Sequence, residues 1–151
     1  MSQRKYALEM ISKTDLAGSK QKDTPMEQNL KLTSMEFDSC ISEGNHDEAL
    51  VDRGSSQRLI GKLLYLTITR RDISYAVQYL SQFMHAPKRS NYEAALHVER
   101  YIKKQPCFGL LMSSKSEEQI YAFCDFDWAS CPMSRKSVTR YCIKLGNSLI
   151  F

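Results

Sequence analysis

Ile120-Tyr-Ala-Phe-Cys-Asp-Phe-Asp-Trp-Ala-Ser130 is the stretch on which the reading of the fold turns. Ile120, Ala122 and Cys124 alternate with Tyr121 and Phe123, and alternation rich in aromatics predicts a strand that is at least half buried. Two carboxylates, Asp125 and Asp127, then flank Phe126 and precede the single tryptophan. A carboxylate delivered by a buried strand is costly unless a cation, a hydrogen-bond donor or water receives it. Asp125 is therefore a candidate first ligand of a metal-dependent nuclease centre. The alternative is a strand that runs out into a turn, with both aspartates solvated.

Working outward, Pro106 and Gly109 mark a change from helical to strand periodicity. Phe108–Met112 predicts a short strand and residues 113–118 a polar turn. On the other side, Tyr141–Leu145 predicts a second strand, and Gly146-Asn147 a two-residue hairpin into Ser148–Phe151. From Trp128 onward there are four basic residues, Arg135, Lys136, Arg140 and Lys144, and no Asp or Glu, so this segment carries the whole net charge of +4. Arg135, Lys136 and Arg140 are candidate phosphate contacts for a nucleic acid; the alternative is a solvated basic face.

Before these strands the apolar period is helical. Leu59, Ile60, Leu63, Leu64 and Thr67 share one face of a helix capped by Ser55 or Ser56. Gly61 inside it costs up to ~1 kcal/mol relative to alanine, which predicts a close approach by another element. Ile73, Ala76, Val77, Leu80, Phe83 and Met84 predict a helix from Asp72 to about Met84, ended by His85-Ala86-Pro87. A third helix runs from about Asn91 to Lys104 on Tyr92, Ala95, Leu96 and Ile102, with Arg100, Lys103 and Lys104 in its last turn. Glu99 falls on that apolar stripe, so it must find a partner, reach solvent or destabilise the packing by ~1–3 kcal/mol. Residues 3–14 predict a short opening helix, residues 15–27 a linker, and the polar stretch 33–54 a mobile loop. Lys20, Lys22 and Arg70-Arg71 read as ordinary surface charge.

At 151 residues, 42% hydrophobic and 25% charged, the chain has the composition of one globular domain or pieces of two. No apolar run approaches the ~20 residues of a membrane helix, so no membrane partner is expected, and Met1-Ser-Gln-Arg-Lys-Tyr6 is no signal peptide. Five cysteines without a C-x-x-C pair argue against a zinc site or disulfide framework and for a reducing compartment, whether cytoplasm, nucleus or organelle. There is no phosphate-binding glycine loop, no H-E-x-x-H and no adjacent Asp-Asp pair.

Arg58-Leu-Ile-Gly-Lys-Leu-Leu-Tyr-Leu-Thr67, Arg71-Asp-Ile-Ser-Tyr-Ala-Val77 and Leu80-Ser-Gln-Phe-Met-His-Ala-Pro87 resemble the C-terminal part of copia-type retrotransposon Pol polyproteins. Tyr101-Ile-Lys-Lys104, Gly109-Leu-Leu-Met112, Cys124-Asp-Phe-Asp-Trp-Ala129, Arg135-Lys-Ser137 and Gly146-Asn147 continue the resemblance in order. Gln3-Arg-Lys-Tyr-Ala-Leu8 and Asp23-Thr-Pro-Met26 extend it to the front. It implies an α+β fold: short helices like the thumb and connection of reverse transcriptase, then an incomplete antiparallel RNase H-like sheet. By the same resemblance, residues 1–32 are the end of the reverse transcriptase region, 33–54 a mobile linker, 55–112 connecting helices and 119–151 the first RNase H-like strands.

Asp125 would then be a catalytic and metal-binding aspartate, Mg2+ the expected ion and an RNA–DNA hybrid the expected partner. RNase H chemistry needs about four carboxylates to hold two ions ~4 Å apart. No Asp or Glu follows Asp127, and the Tyr-x-Asp-Asp motif of the polymerase is absent. The family also usually has proline at Arg71, leucine at Glu99 and glycine at Arg140. The expected function is thus that of a Pol fragment without catalytic activity on its own. The alternatives are a non-catalytic module that binds nucleic acid, or a nuclease completed by another chain.

Overall fold

The computed structural model describes residues 1–14, 18–41, 47–114, 119–129, 131, 133–137 and 139–150. Among them the chain runs α1 (Arg4–Lys13), α2 (Met35–Ile41), α3 (Arg53–Leu66), a 3-10 turn (Arg71–Ile73), α4 (Ser74–Ser81) and α5 (Arg89–Lys104). It then enters an antiparallel sheet of β1 (Ile120–Phe126), β2 (Thr139–Leu145) and β3 (Ser148–Leu149), in spatial order β1-β2-β3. The α+β class implied by the resemblance is the one observed.

The core lies in the helices. Leu59, Ile60, Leu63 and Leu66 on α3 meet Ala76, Val77 and Leu80 on α4 and Ala95, Val98 and Ile102 on α5. α1 adds Ala7 and Met10, and its Tyr6 packs edge-on against Tyr65. Three- and four-residue spacing puts these side chains on facing stripes, and each buried aliphatic residue contributes ~1.5–3 kcal/mol of transfer free energy. The cap of α3 is Asp52, whose side chain accepts from Ser55 N at 3.0 Å, and not Ser55 or Ser56; Ser56 is buried within the helix. Gly61 is exposed, and a Cβ built there meets nothing within 4 Å, so no element approaches it closely.

Several sequence expectations change in physical detail. The helix expected from Asp72 to Met84 is a 3-10 turn followed by a shorter α4. Arg70, read as surface charge, is 2% exposed. It donates to Asp72 (Nη2–Oδ2 2.7 Å) and to the Gln105 carbonyl (2.8 Å), and its guanidinium lies 5.6 and 5.2 Å from the ring centroids of Tyr101 and Phe108. Phe108–Met112 forms no strand. Within the polar stretch 33–54, α2 forms, and Phe37 N donates to Ser34 Oγ at its start. Lys88, 3% exposed, holds this region down through Asp38 (2.5 Å), Asp47 (3.7 Å) and Thr33 Oγ1 (3.0 Å). Residues 42–46 lie outside the described residues.

Glu99 is fully buried, as its place on the stripe demands, and it finds a partner: Thr14 Oγ1 donates to its Oε1 at 2.5 Å. Its other oxygen, Oε2, is buried and has no hydrogen-bond partner among the described residues. Burial raises the carboxyl pKa above the ordinary 4.5, against the smaller opposing influence of the Thr14 hydrogen bond and of Lys62 and Arg100.

The largest correction concerns the opening strand. β1 exists over the expected residues, yet all seven are exposed. Alternation reports the pleat of a strand, and the pleat becomes burial only where a second layer covers a face. Among the described residues β1 pairs with β2 alone.

Candidate functional site

β1 and β2 pair from Ile120↔Leu145 to Phe126↔Thr139, which sets Asp125 directly across from Arg140. Opposed residues of an antiparallel pair point to the same face. Asp125, Phe123 and Tyr121 therefore share one face with Arg140, Cys142 and Lys144. Arg140 Nη2 donates to Asp127 Oδ2 at 3.0 Å, where β1 ends, and its guanidinium sits 4.5 Å from the ring centroid of Tyr75 on α4. This one cation thus ties the carboxylate end of β1 to the helical body. Lys144 Nζ lies 5.9 Å from the centroid of Phe123.

Beyond β1 the chain turns tightly. Ala129 (φ 49°) and Arg135 (φ 55°) adopt left-handed backbone, Ala129 N donates to Ser137 Oγ (3.0 Å) and Arg135 N donates to Cys131 O (2.9 Å). Hydrogen bonds from Ser134 hold the Cys131 thiol below its ordinary pKa. Arg135 and Lys136 are exposed on this turn. Lys136 and Cys131 line a cleft of about 760 Å³ with Lys31, Tyr75 and Tyr79. Arg140 lies in a neighbouring groove of about 930 Å³, lined also by Ser74, Tyr75, Phe108 and Tyr141.

Of the candidate residues, the fold brings Asp125 and Arg140 together and leaves Arg135 and Lys136 on the adjoining turn. Sequence reasoning missed Cys131, Lys88 and Arg70. Asp72, two residues after Arg70, was the one available signal for the last of these; nothing local marks Lys88.

Over 150 residues the chain is 35% identical to the uncharacterized mitochondrial protein AtMg00810 of Arabidopsis thaliana, a match covering 99% of this chain and 58% of that protein. Over 147 residues it is 33% identical to the retrovirus-related Pol polyprotein from transposon RE1 of the same plant, covering 97% of this chain and 9% of the polyprotein. A third relative, the uncharacterized mitochondrial protein AtMg00240, is 47% identical over 79 residues, which is 52% of this chain and 71% of that protein. The chain belongs to the retrotransposon Pol family. No family model and no solved structure matches it. It spans little more than half of AtMg00810 and a small part of the RE1 polyprotein.

Membership in the Pol family makes Mg2+ the ion to test against this geometry. The donor set does not fit it. Asp125 faces Arg140 across the ladder, and Asp127 is bound to the same guanidinium. Among the described residues no three of His, Cys, Asp and Glu stand close enough to share an ion. No helix among them is long and apolar enough to cross a membrane.

Proposed function

We propose that this chain is a segment of a copia-type Pol protein, from the end of reverse transcriptase into the first strands of RNase H, without nuclease or polymerase chemistry of its own. On this reading residues 1–32 and 55–112 are the thumb-side and connecting helices, 33–54 link them, and 119–151 open the RNase H-like sheet. Asp125 keeps the position of the first-strand aspartate. The observation that carries the reading is the pairing of the carboxylate end of β1 with an arginine: Arg140 stands opposite Asp125 and holds Asp127 at 3.0 Å. A two-ion mechanism needs that space for carboxylates and cations.

Purified protein with a labelled RNA–DNA hybrid and Mg2+ or Mn2+ tests this. The expected outcome is no cleavage above that of Asp125→Asn. Metal-dependent cleavage that Asp125→Asn abolishes overturns it, and favours a nuclease completed by a second chain.

A second reading, a non-catalytic module for RNA–DNA hybrids, draws on the exposed Arg135 and Lys136 of the turn, Lys136 lining a cleft together with Lys31. Phosphate contacts of that kind make affinity fall steeply with salt. Hybrid binding measured across a salt series, with Arg135→Ala/Lys136→Ala as the comparison, decides it: a salt slope that the double variant flattens supports binding, and no binding at low salt removes it.

A further inference from the structure

Thr14 Oγ1 stands between two acceptors, and a hydroxyl has one proton to give. It lies 2.5 Å from Glu99 Oε1 and 3.1 Å from the Ile11 carbonyl oxygen. With Glu99 ionised, that proton serves the carboxylate or the carbonyl, and one of the two goes without. With Glu99 protonated on Oε1 the direction reverses: the carboxyl donates to Thr14 Oγ1, Thr14 donates to Ile11 O, and each bond has its own proton. The second oxygen argues the same way. Oε2 is buried with no hydrogen-bond partner among the described residues, which costs a neutral carbonyl far less than a carboxylate. Lys62 on α3 and Arg100 on α5 are the charged groups that bear on this carboxyl, and neither forms an ion pair with it among the described residues. Burial outweighs both and raises the carboxyl pKa.

Thr14 follows the last turn of α1. Earlier in that helix Tyr6 packs on Tyr65, Ala7 and Met10 enter the core, and Gln3 Oε1 just before it accepts from Thr69 Oγ1 at 2.8 Å. At the far end Ser12 and Lys13 are exposed and Ile11 packs at the margin of the core, so the contact between Thr14 and Glu99 is the polar tie of this end to α5. We propose that Glu99 is a proton-operated clasp: protonated, it holds the C-terminal turn of α1 on α5, and losing that proton to solvent frees the turn. An ionised Glu99 reaches water only when something above it lifts. α3 and α5 are fixed by fully buried stripes, so the end of α1 is what yields.

NMR of the full 151-residue chain from acid to neutral pH tests this, following the Glu99 carboxyl carbon and amide exchange corrected for its intrinsic rate. The closed clasp holds the proton more tightly than the open one. It is therefore complete below the open-state pKa and is lost as pH rises through the closed-state pKa. Between the two, exchange of the amides of residues 10–14 is expected to rise about tenfold per pH unit. The rise should level off at the Glu99 titration midpoint, while α3 and α4 keep their protection. Glu99→Gln, whose amide donates to Thr14 as the protonated acid does, should hold the turn at every pH. Thr14→Val should leave the turn loose even in acid, with unchanged circular dichroism. Should either variant fail to fold, the two midpoints in the natural chain decide: coincidence supports the clasp and separation overturns it. A flat exchange profile, a rise that persists in Glu99→Gln, full acid protection in Thr14→Val, or α3 and α4 opening together with α1 would each overturn it as well.

Discussion

The helical body and the sheet have opposite fates, although the sheet is made from the more apolar sequence. In the first, buried hydrophobic side chains run from Ala7 to Ile102 and close on one another. In the second, Ile120, Tyr121, Phe123, Phe126, Tyr141 and Leu145 are all exposed, and Trp128 is 86% exposed. A helix presents one apolar stripe, and several helices can cover each other's. A sheet has two faces and an edge, and three strands supply no second layer. Polar contacts follow the same division: Lys88 and Arg70 are buried and multiply bonded within the helical body, whereas Arg140 reaches across from the sheet to Tyr75 while half exposed.

Substitutions can break this contrast, beginning where the effect is largest. Leu63→Ala, at a fully buried position on α3, should cost about 2–5 kcal/mol in denaturant unfolding, while Phe123→Ala on the sheet stays within about 0.5 kcal/mol. Equal costs would mean that the sheet is covered in solution. Lys88→Met leaves Asp38 and Asp47 without their shared cation; the expected loss is about 2–3 kcal/mol, less than for a wholly enclosed pair because both aspartates are about a quarter exposed.

Glu99→Leu acts in the other direction. Because the folded pKa is raised, the folded chain holds that proton more tightly than the unfolded chain does. Stability from this group is complete below the unfolded carboxyl pKa and is lost as pH rises from there through the raised folded pKa. Thermal melts across acid to neutral pH should show that decline in the natural chain and a flatter profile in Glu99→Leu, which should be about 1–2 kcal/mol more stable at neutral pH. Gly61→Ala, on an exposed helical turn with open space for a methyl group, should add up to about 1 kcal/mol. The smallest effect belongs to Arg140→Gly. Losing the Asp127 pair and the contact with Tyr75 should cost about 0.5–1 kcal/mol. Its clearer readout is faster amide hydrogen exchange in β2 with α3–α5 unchanged.

Much of this was legible beforehand. The stripe Leu59–Ile60–Leu63 and the period of Ile73–Leu80 locate α3 and α4, because helical spacing is a local property. Gly146-Asn147 locates the β2–β3 turn for the same reason. Asp125 could be placed on a strand, but its neighbour could not be named, since Arg140 meets it only through the register of β1 against β2. Lys88 was invisible as a buried cation because its partners lie 50 and 41 positions away in the chain.

By itself, then, the sequence determined the Pol family, the order of α1, α3, α4 and α5 before the strands of the sheet, and the place of Glu99 on an apolar stripe, all carried by patterns along the chain. Tertiary structure decided that Glu99 is matched by Thr14, that Arg70 and Lys88 lie inside, and that the strand read as half buried is open on both faces. Periodicity says which side chains share a face; whether anything covers that face depends on elements that only the folded chain brings together.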